Sequence, residues 1–336
     1  MSAPAAALLP TRTIGPFTVS AIGLGCMNLS HAYGTAPPPH QAEALLQRAL
    51  ELGITLFDTA ALYGFGTNEE LLGRVLEPYR SRITLASKCG MTGVQGKRVI
   101  DGRPETLRRT CEQSLQRLRT DVIDLYYLHR WDRAVPLEDS VGALSELVRA
   151  GKVRAIGLSE VSAATLLRAH AVHPISALQS EYSLWTRNSE IAALQACRQI
   201  GAAFVAFSPL GRGFFGAELR DTEALAPGDI RRAMPRFEPQ TYAANLRLLD
   251  EYATLAGEAG CTPAQLALAW LLTRGPHVVP IPGTTRVEHL EQNVGALSVK
   301  LSGSLTARID ALISRVGVAG ARYGANTQAE IDTEEF

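Results

Sequence analysis

The sequence is poor in cysteine and aromatic residues and has no surplus of either charge. Cys26, Cys89, Cys111, Cys197 and Cys261 are the only five cysteines in 336 residues. An odd number, widely spaced and without a Cys-x-x-Cys pair, gives neither a disulfide framework nor a zinc site, and it suits a reducing, cytoplasmic setting. The 33 Lys and Arg are matched by 33 Asp and Glu, so the basic excess that holds nucleic acid or an acidic membrane surface is missing. No window approaches the ~18 uninterrupted apolar residues of a membrane span. His170 and His173 have a spacing a metal could use, but Pro174 ends that helix and no third ligand is evident, so no metal is expected.

What the sequence does have is an alternation. Short apolar β-rich runs are each followed by a longer helix-patterned stretch, the mark of an α/β protein. The expected strands are 21–25, 54–58, 83–88, 122–129, 153–159, 175–179, 202–207 and 278–281. Between them, 41–52, 68–77, 104–118, 137–150, 163–171, 189–200 and 263–273 read as helices. In 104–118 the residues Leu107, Cys111, Leu115 and Leu118 fall at helical spacing, which makes one core face. Eight such pairs close a (β/α)8 TIM barrel. An open doubly wound sheet would carry a Gly-x-Gly-x-x-Gly turn after its first strand, and Gly23-Leu24-Gly25-Cys26-Met27-Asn28 breaks that pattern. Thr11–Ser20, turning at Gly15-Pro16, reads as a hairpin that closes the bottom of the barrel. The organisation expected is one barrel domain over residues 11–315, a loose leader over 1–10 and a tail over 316–336. Two long irregular stretches, 89–103 and 211–240, are expected to wall a pocket.

The strand ends carry the chemistry. One apolar run finishes in Asp58, a second in Lys88 and a third in His129, and Tyr63 lies in the loop after the first of these. In a barrel those ends open on the face that holds active sites. An ammonium beside a phenol stabilises the phenolate and lowers the phenol's pKa from ~10, while an Asp on the Lys keeps it charged. The Tyr then serves as a general acid toward an oxygen gathering negative charge, with His129 a second donor to the same oxygen. Taken singly, each of these groups could equally be a cap or a structural ion pair. The loops 208–213 and 281–286, after the seventh and eighth strands and beside a helix starting near Val287, occupy the usual phosphate site of a barrel.

The run Phe57-Asp58-Thr59-Ala60 to Tyr63-Gly64, then Asn68-Glu69-Glu70-Leu71-Leu72-Gly73, Asp121–Tyr126, His129 and Gly151–Ser159 resembles the aldo-keto reductase superfamily. The closest likeness is to the bacterial and plant carbonyl reductases carrying Gly-Leu-Ser-Glu, Glu-Tyr-Ser-Leu-Trp and Ile-Pro-Gly-Thr-Thr, here at 157–160, 181–185 and 281–285. The resemblance implies a catalytic tetrad of Asp58, Tyr63, Lys88 and His129, with Tyr63 the proton donor, and NADPH/NADP+ as cofactor. It places Ser159 and Gln179 on the nicotinamide amide and Phe207 against the ring. Ser208, Leu210 and Gly211 are then expected around the pyrophosphate, and Gly283, Thr284, Arg286, Gln292 and Asn293 around the adenosine and its 2′-phosphate, with Pro209, Gly213 and Ile281 also expected to bind the cofactor. Gly25, Cys26 and Met27 complete the expected cofactor contacts.

Four positions depart from the family pattern: Glu160 replaces a common Asn, Phe207 a common Tyr, and Gly283 and His289 a Lys and an Arg. That leaves Arg286 as the evident cation for a 2′-phosphate. Cys89, Trp131 and Phe214 are expected in the substrate pocket. The function implied is NADPH-dependent reduction of an aldehyde or ketone, with a small-molecule carbonyl substrate as partner and homo-oligomerisation left open. A Schiff-base aldolase using Lys88 and a cofactor-binding regulatory subunit are the alternatives.

Overall fold

The computed structural model describes residues 9–30 and 32–336; residues 1–8 of the expected leader lie outside it. The chain opens with an antiparallel hairpin, β1 (Thr11–Ile14) and β2 (Phe17–Ser20). There follow β3 (Leu24–Gly25), α1 (Pro39–Glu51), β4 (Leu56–Asp58), α2 (Thr67–Leu76) and β5 (Thr84–Cys89). A second hairpin, β6 (Met91–Val94) and β7 (Lys97–Ile100), precedes α3 (Pro104–Leu118). The alternation continues through β8 (Ile123–Leu128), α4 (Leu137–Arg149), β9 (Val153–Ser159), α5 (Ala163–Val172), β10 (Ile175–Glu181), α6 (Ala193–Ile200) and β11 (Ala203–Phe207). Then come α7 (Pro239–Glu258), α8 (Pro263–Leu272), β12 (Val278–Pro280), α9 (Val287–Gly295), α10 (Gly303–Val316) and α11 (Ala325–Gln328).

Eight strands, β3, β4, β5 and β8–β12, form one parallel sheet in chain order. Its edges meet: Gly23 N donates to Pro280 O at 3.0 Å and Gly25 N to Pro282 O at 3.2 Å. This is the (β/α)8 barrel expected from the alternation. The β1–β2 hairpin lies across the N-terminal strand ends. Ser20 N bonds Thr55 Oγ1, Arg12 donates to the carbonyls of Leu272, Gly275 and Val278, and Gly15 packs on Ser176. Ile14 and Val19 are buried in the barrel interior, so the hairpin plugs the bottom.

Side chains alternate across a strand, and here the alternation sorts residues between two cores. Leu56, Ala86, Leu125, Tyr127, Ala155, Ala177, Ala203, Val205 and Val279 fill the barrel. Phe57, Leu85, Cys89, Tyr126, Leu128, Leu158, Leu178 and Phe204 face the helices. The helices present matching faces: on α3, started by Pro104, the buried apolar residues are Leu107, Cys111, Leu115 and Leu118, with Thr106, Thr110 and Ser114 buried beside them. Helix α8 begins with a reciprocal capping box between Thr262 and Gln265.

The stretch 89–103 is not irregular as expected, because β6 and β7 pair there around a turn at Gln95 and Gly96, both with positive φ. The expected tail does not trail away. It returns to the barrel top, where Asp332 bridges to Val161 and its N–H bonds Glu160 O at 3.0 Å.

Candidate active site

The inward residues continue past the last hydrophobic layer and change character. Two positions beyond Leu56 is Asp58, two beyond Ala86 is Lys88, and two beyond Tyr127 is His129. By the same step Ala155 and Gly157 lead to Ser159, Ala177 to Gln179 and Val205 to Phe207. A period of two, anchored by a buried apolar layer, delivers all six side chains to the C-terminal mouth.

A cavity of about 810 Å³ opens there. Lys88, fully buried, lies beneath its wall. Its Nζ donates to Asp58 Oδ1 at 2.5 Å, Thr59 O at 2.8 Å and Tyr63 OH at 3.2 Å. Asp58 Oδ2 accepts from Gln179 Nε2 at 2.8 Å. The His129 ring stands edge-on to Tyr63 with centroids 5.8 Å apart, and its backbone N–H donates to Cys89 O at 2.8 Å. Asn68, at the start of α2, holds the Tyr63 loop. It accepts from Thr59 Oγ1 at 2.6 Å and donates to Cys26 O and Ser30 Oγ, each at 2.9 Å.

Electrostatics correct one expectation. Burial pushes the Tyr63 phenol up, and although Lys88 pulls it down the net direction is upward. Tyr63 is therefore a protonated donor throughout the neutral range rather than a phenol tuned toward ionisation. Burial opposes the Lys88 ammonium, yet Asp58 and Tyr63 outweigh it and the pKa rises. An ammonium that is fully buried, charged and committed to three acceptors is a poor Schiff-base nucleophile.

The expected cofactor residues Gly25, Cys26, Met27, Ser159, Gln179, Phe207, Ser208, Pro209, Leu210, Gly213, Ile281, Gly283, Thr284, Arg286, Gln292 and Asn293 all line this cavity, together with Asp58, Tyr63 and His129. Gly211 does not; it packs against Trp185. The fit to an extended dinucleotide is visible in the backbone. A Cβ on Gly25 would sit 2.8 Å from Ile281 O, and one on Gly283 would sit 2.8 Å from Gly25 O, so side chains are kept off this floor. Arg286 caps α9 and is half-exposed, its guanidinium 3.8 Å from Glu218 and 3.7 Å from Glu288. Glu160 is absent from the cavity: it accepts from Glu181 N at 2.9 Å and pairs with Arg322.

The three expected substrate-pocket residues lie elsewhere. Cys89 is one residue past Lys88, hence on the opposite face of β5, buried among helix-facing residues. Trp131 donates Nε1 to Val135 O at 3.1 Å and is covered by Arg133. Phe214 stacks on Trp185 with centroids 4.3 Å apart and is fully buried. The two stretches expected to wall a pocket do so through other residues, Met91, Arg98 and Arg212, and they are joined by residues that sequence reasoning missed: Tyr33, Arg130 and, from the returned tail, Tyr323. Arg130 had a signal, being the cation next to His129 at a strand end. Tyr323 had none, because only folding brings the tail there. Among the described residues no cluster of three metal-ligating side chains occurs, and no helix is long and apolar enough to cross a membrane.

The model of the aldo/keto reductase family matches residues 21–314. Among solved structures, the glycerol dehydrogenase of Gluconobacter oxydans is 27% identical, with 93% of this chain and 97% of that one covered at a TM-score of 0.85. An aldo/keto reductase of Klebsiella pneumoniae in complex with NADP and acetate is 29% identical over 97% and 99%, at 0.70. A thermostable aldo-keto reductase bound to the inhibitor epalrestat is 30% identical over 90% and 100%, at 0.72. The chain belongs to the aldo/keto reductase family and is an NADP(H)-dependent oxidoreductase.

Proposed function

We propose that the protein reduces an aldehyde or ketone to the alcohol, reversibly, with Asp58, Tyr63, Lys88 and His129 as its catalytic group. The observation that carries this reading is the buried Lys88 ammonium joining Asp58 to the Tyr63 hydroxyl beneath an open cavity. When bound, NADPH would supply the hydride, from nicotinamide C4, and leave as NADP+. The residues do the rest. Tyr63 hydrogen-bonds the carbonyl oxygen and gives it a proton as the C=O π pair moves onto oxygen. Lys88 stabilises the phenolate left behind, Asp58 keeps Lys88 charged, and His129 donates to the same oxygen. Solvent returns the proton to Tyr63. Ser159, Gln179 and Phe207, which line the cavity, would hold the nicotinamide, and Arg286, Gln292 and Asn293 the adenosine end.

Loss of NADPH absorbance with 4-nitrobenzaldehyde tests the reaction. Tyr63→Phe keeps the ring and removes the proton, so kcat should fall by about 10²–10⁴-fold while NADPH binding, followed by fluorescence, stays within about twofold. Unchanged kcat refutes the role of Tyr63. Tight NADPH binding without turnover across an aldehyde and ketone panel would favour the regulatory-subunit alternative.

A further inference from the structure

Five arginines line the cavity, and four are paired: Arg98 with Glu330, Arg212 with Glu181, Arg231 with Asp229 and Arg286 with Glu218 and Glu288. Arg130 differs. Among the described residues no carboxylate lies within ion-pair distance of it, although its side chain is more than nine-tenths buried. Its Nη1 donates to His129 O at 2.7 Å and to Ser159 Oγ at 3.4 Å, while its Nε is buried without a partner. A guanidinium offers five N–H donors in a planar fork suited to a carboxylate. Leaving such a group desolvated and unmatched is costly unless something else completes it.

The surroundings are also short of negative charge. Behind Arg130, Arg212 and Arg322 share Glu160 and Glu181, and Arg236 joins them without a carboxylate of its own. Burial lowers the Arg130 pKa, and Tyr323, Tyr63 and Glu330 only partly offset it. The same interaction puts Arg130 within electrostatic reach of Tyr63, the proposed proton donor.

We infer that Arg130 is a substrate-anion site, and that the preferred substrates are short-chain carbonyl compounds bearing a carboxylate close to the reacting carbon. This rests on the proposed carbonyl reduction and names its substrate class. The carboxylate is gripped by Arg130 while the carbonyl oxygen meets Tyr63 and His129. The anion site makes and breaks no bond, and the carboxylate leaves as it came.

The test compares matched pairs differing in the carboxylate: 4-oxobutanoate with butanal, and 5-oxopentanoate with pentanal. The native enzyme should prefer the carboxylate member in kcat/KM by at least about 10-fold, the value of a charge-assisted hydrogen bond. Arg130→Gln should abolish that preference by raising KM for the acids about 10- to 100-fold, with the neutral members nearly unchanged, and Arg130→Lys should retain part of it. No preference in the native enzyme, or equal losses on both members with weakened NADPH fluorescence binding, overturns the assignment and makes Arg130 a structural or cofactor contact. A separate arm measures binding of 4-hydroxybutanoate against butan-1-ol to the NADP+-bound protein by calorimetry. It decides the anion site even if neither aldehyde turns over, the outcome that would sink the carbonyl-reductase reading alone. Selective loss of 4-hydroxybutanoate binding in Arg130→Gln supports the site, and equal binding of acid and alcohol to the native protein refutes it.

Discussion

Replacing Lys88 with Met probes the centre of the site at a known energetic scale. The side chain is wholly inside, and removing Nζ strips Asp58, 3% exposed, of the one ion-pair partner it has among the described residues, leaving Gln179 Nε2 to hold a buried carboxylate. Breaking one half of a buried pair costs about 3–5 kcal/mol. A chain of 336 residues unfolds with an entropy of about 0.7 kcal/mol per kelvin, so the melting temperature should drop by about 4–7 °C. Asp58→Asn together with Lys88→Met removes both charges and should recover most of that drop, because a neutral pair of similar volume has no orphaned charge. Neither variant should reduce carbonyls, since both lack the ammonium beside Tyr63. Differential scanning calorimetry at pH 7 on the native protein, the Asp58→Asn and Lys88→Met single variants and the double variant closes the cycle. A Lys88→Met melt within about 1 °C of native, or a double variant no more stable than the single, would refute the charged-pair reasoning.

Two further expectations use the titrations and the burial. Because the Tyr63 phenol lies above its ordinary value, its donor form persists as pH rises. The reductive kcat/KM should stay flat from pH 7 to 9 and fall only above pH ~10; a descending limb centred below 9 would show that Lys88 prevails over burial. Cys26, Cys89, Cys111 and Cys197 are buried, with burial pushing each thiol up, and Cys261 alone is partly exposed. A disulfide reagent at pH 8 should therefore titrate about one thiol in the native protein and five after denaturation, and rapid release of three or more would contradict the packing.

The barrel was legible because its signal is repetitive: apolar runs of strand length alternate with amphipathic helices, and β9 and α3 fall at the bounds read from sequence. The grouping of Asp58, Lys88 and His129 was legible because each is the next inward position past a buried apolar layer, and Tyr63 because it lies in the loop that follows Asp58. Faces were harder to read. Cys89 adjoins Lys88 in sequence, yet one step along a strand turns it to the helices. Phe214 and Trp131 sit in loops where periodicity says nothing, and each found an aromatic or arginine neighbour instead of the cavity. The tail contact through Tyr323 depends on ion pairs between residues about 140 positions apart, such as Arg322 with Glu181, which no local pattern encodes.

The closure at Gly23 and Gly25 against the segment after β12 has a mechanical consequence. This seam joins residues near the two ends of the chain by two backbone hydrogen bonds, and the cavity floor runs along it. A molecule lying across Gly25–Met27 and Ile281–Thr284 therefore acts as a removable cross-link between distant parts of the sequence. Its binding energy opposes opening of the barrel along that line, and the protection it confers against amide exchange should concentrate at β3 and β12 instead of spreading evenly around the sheet.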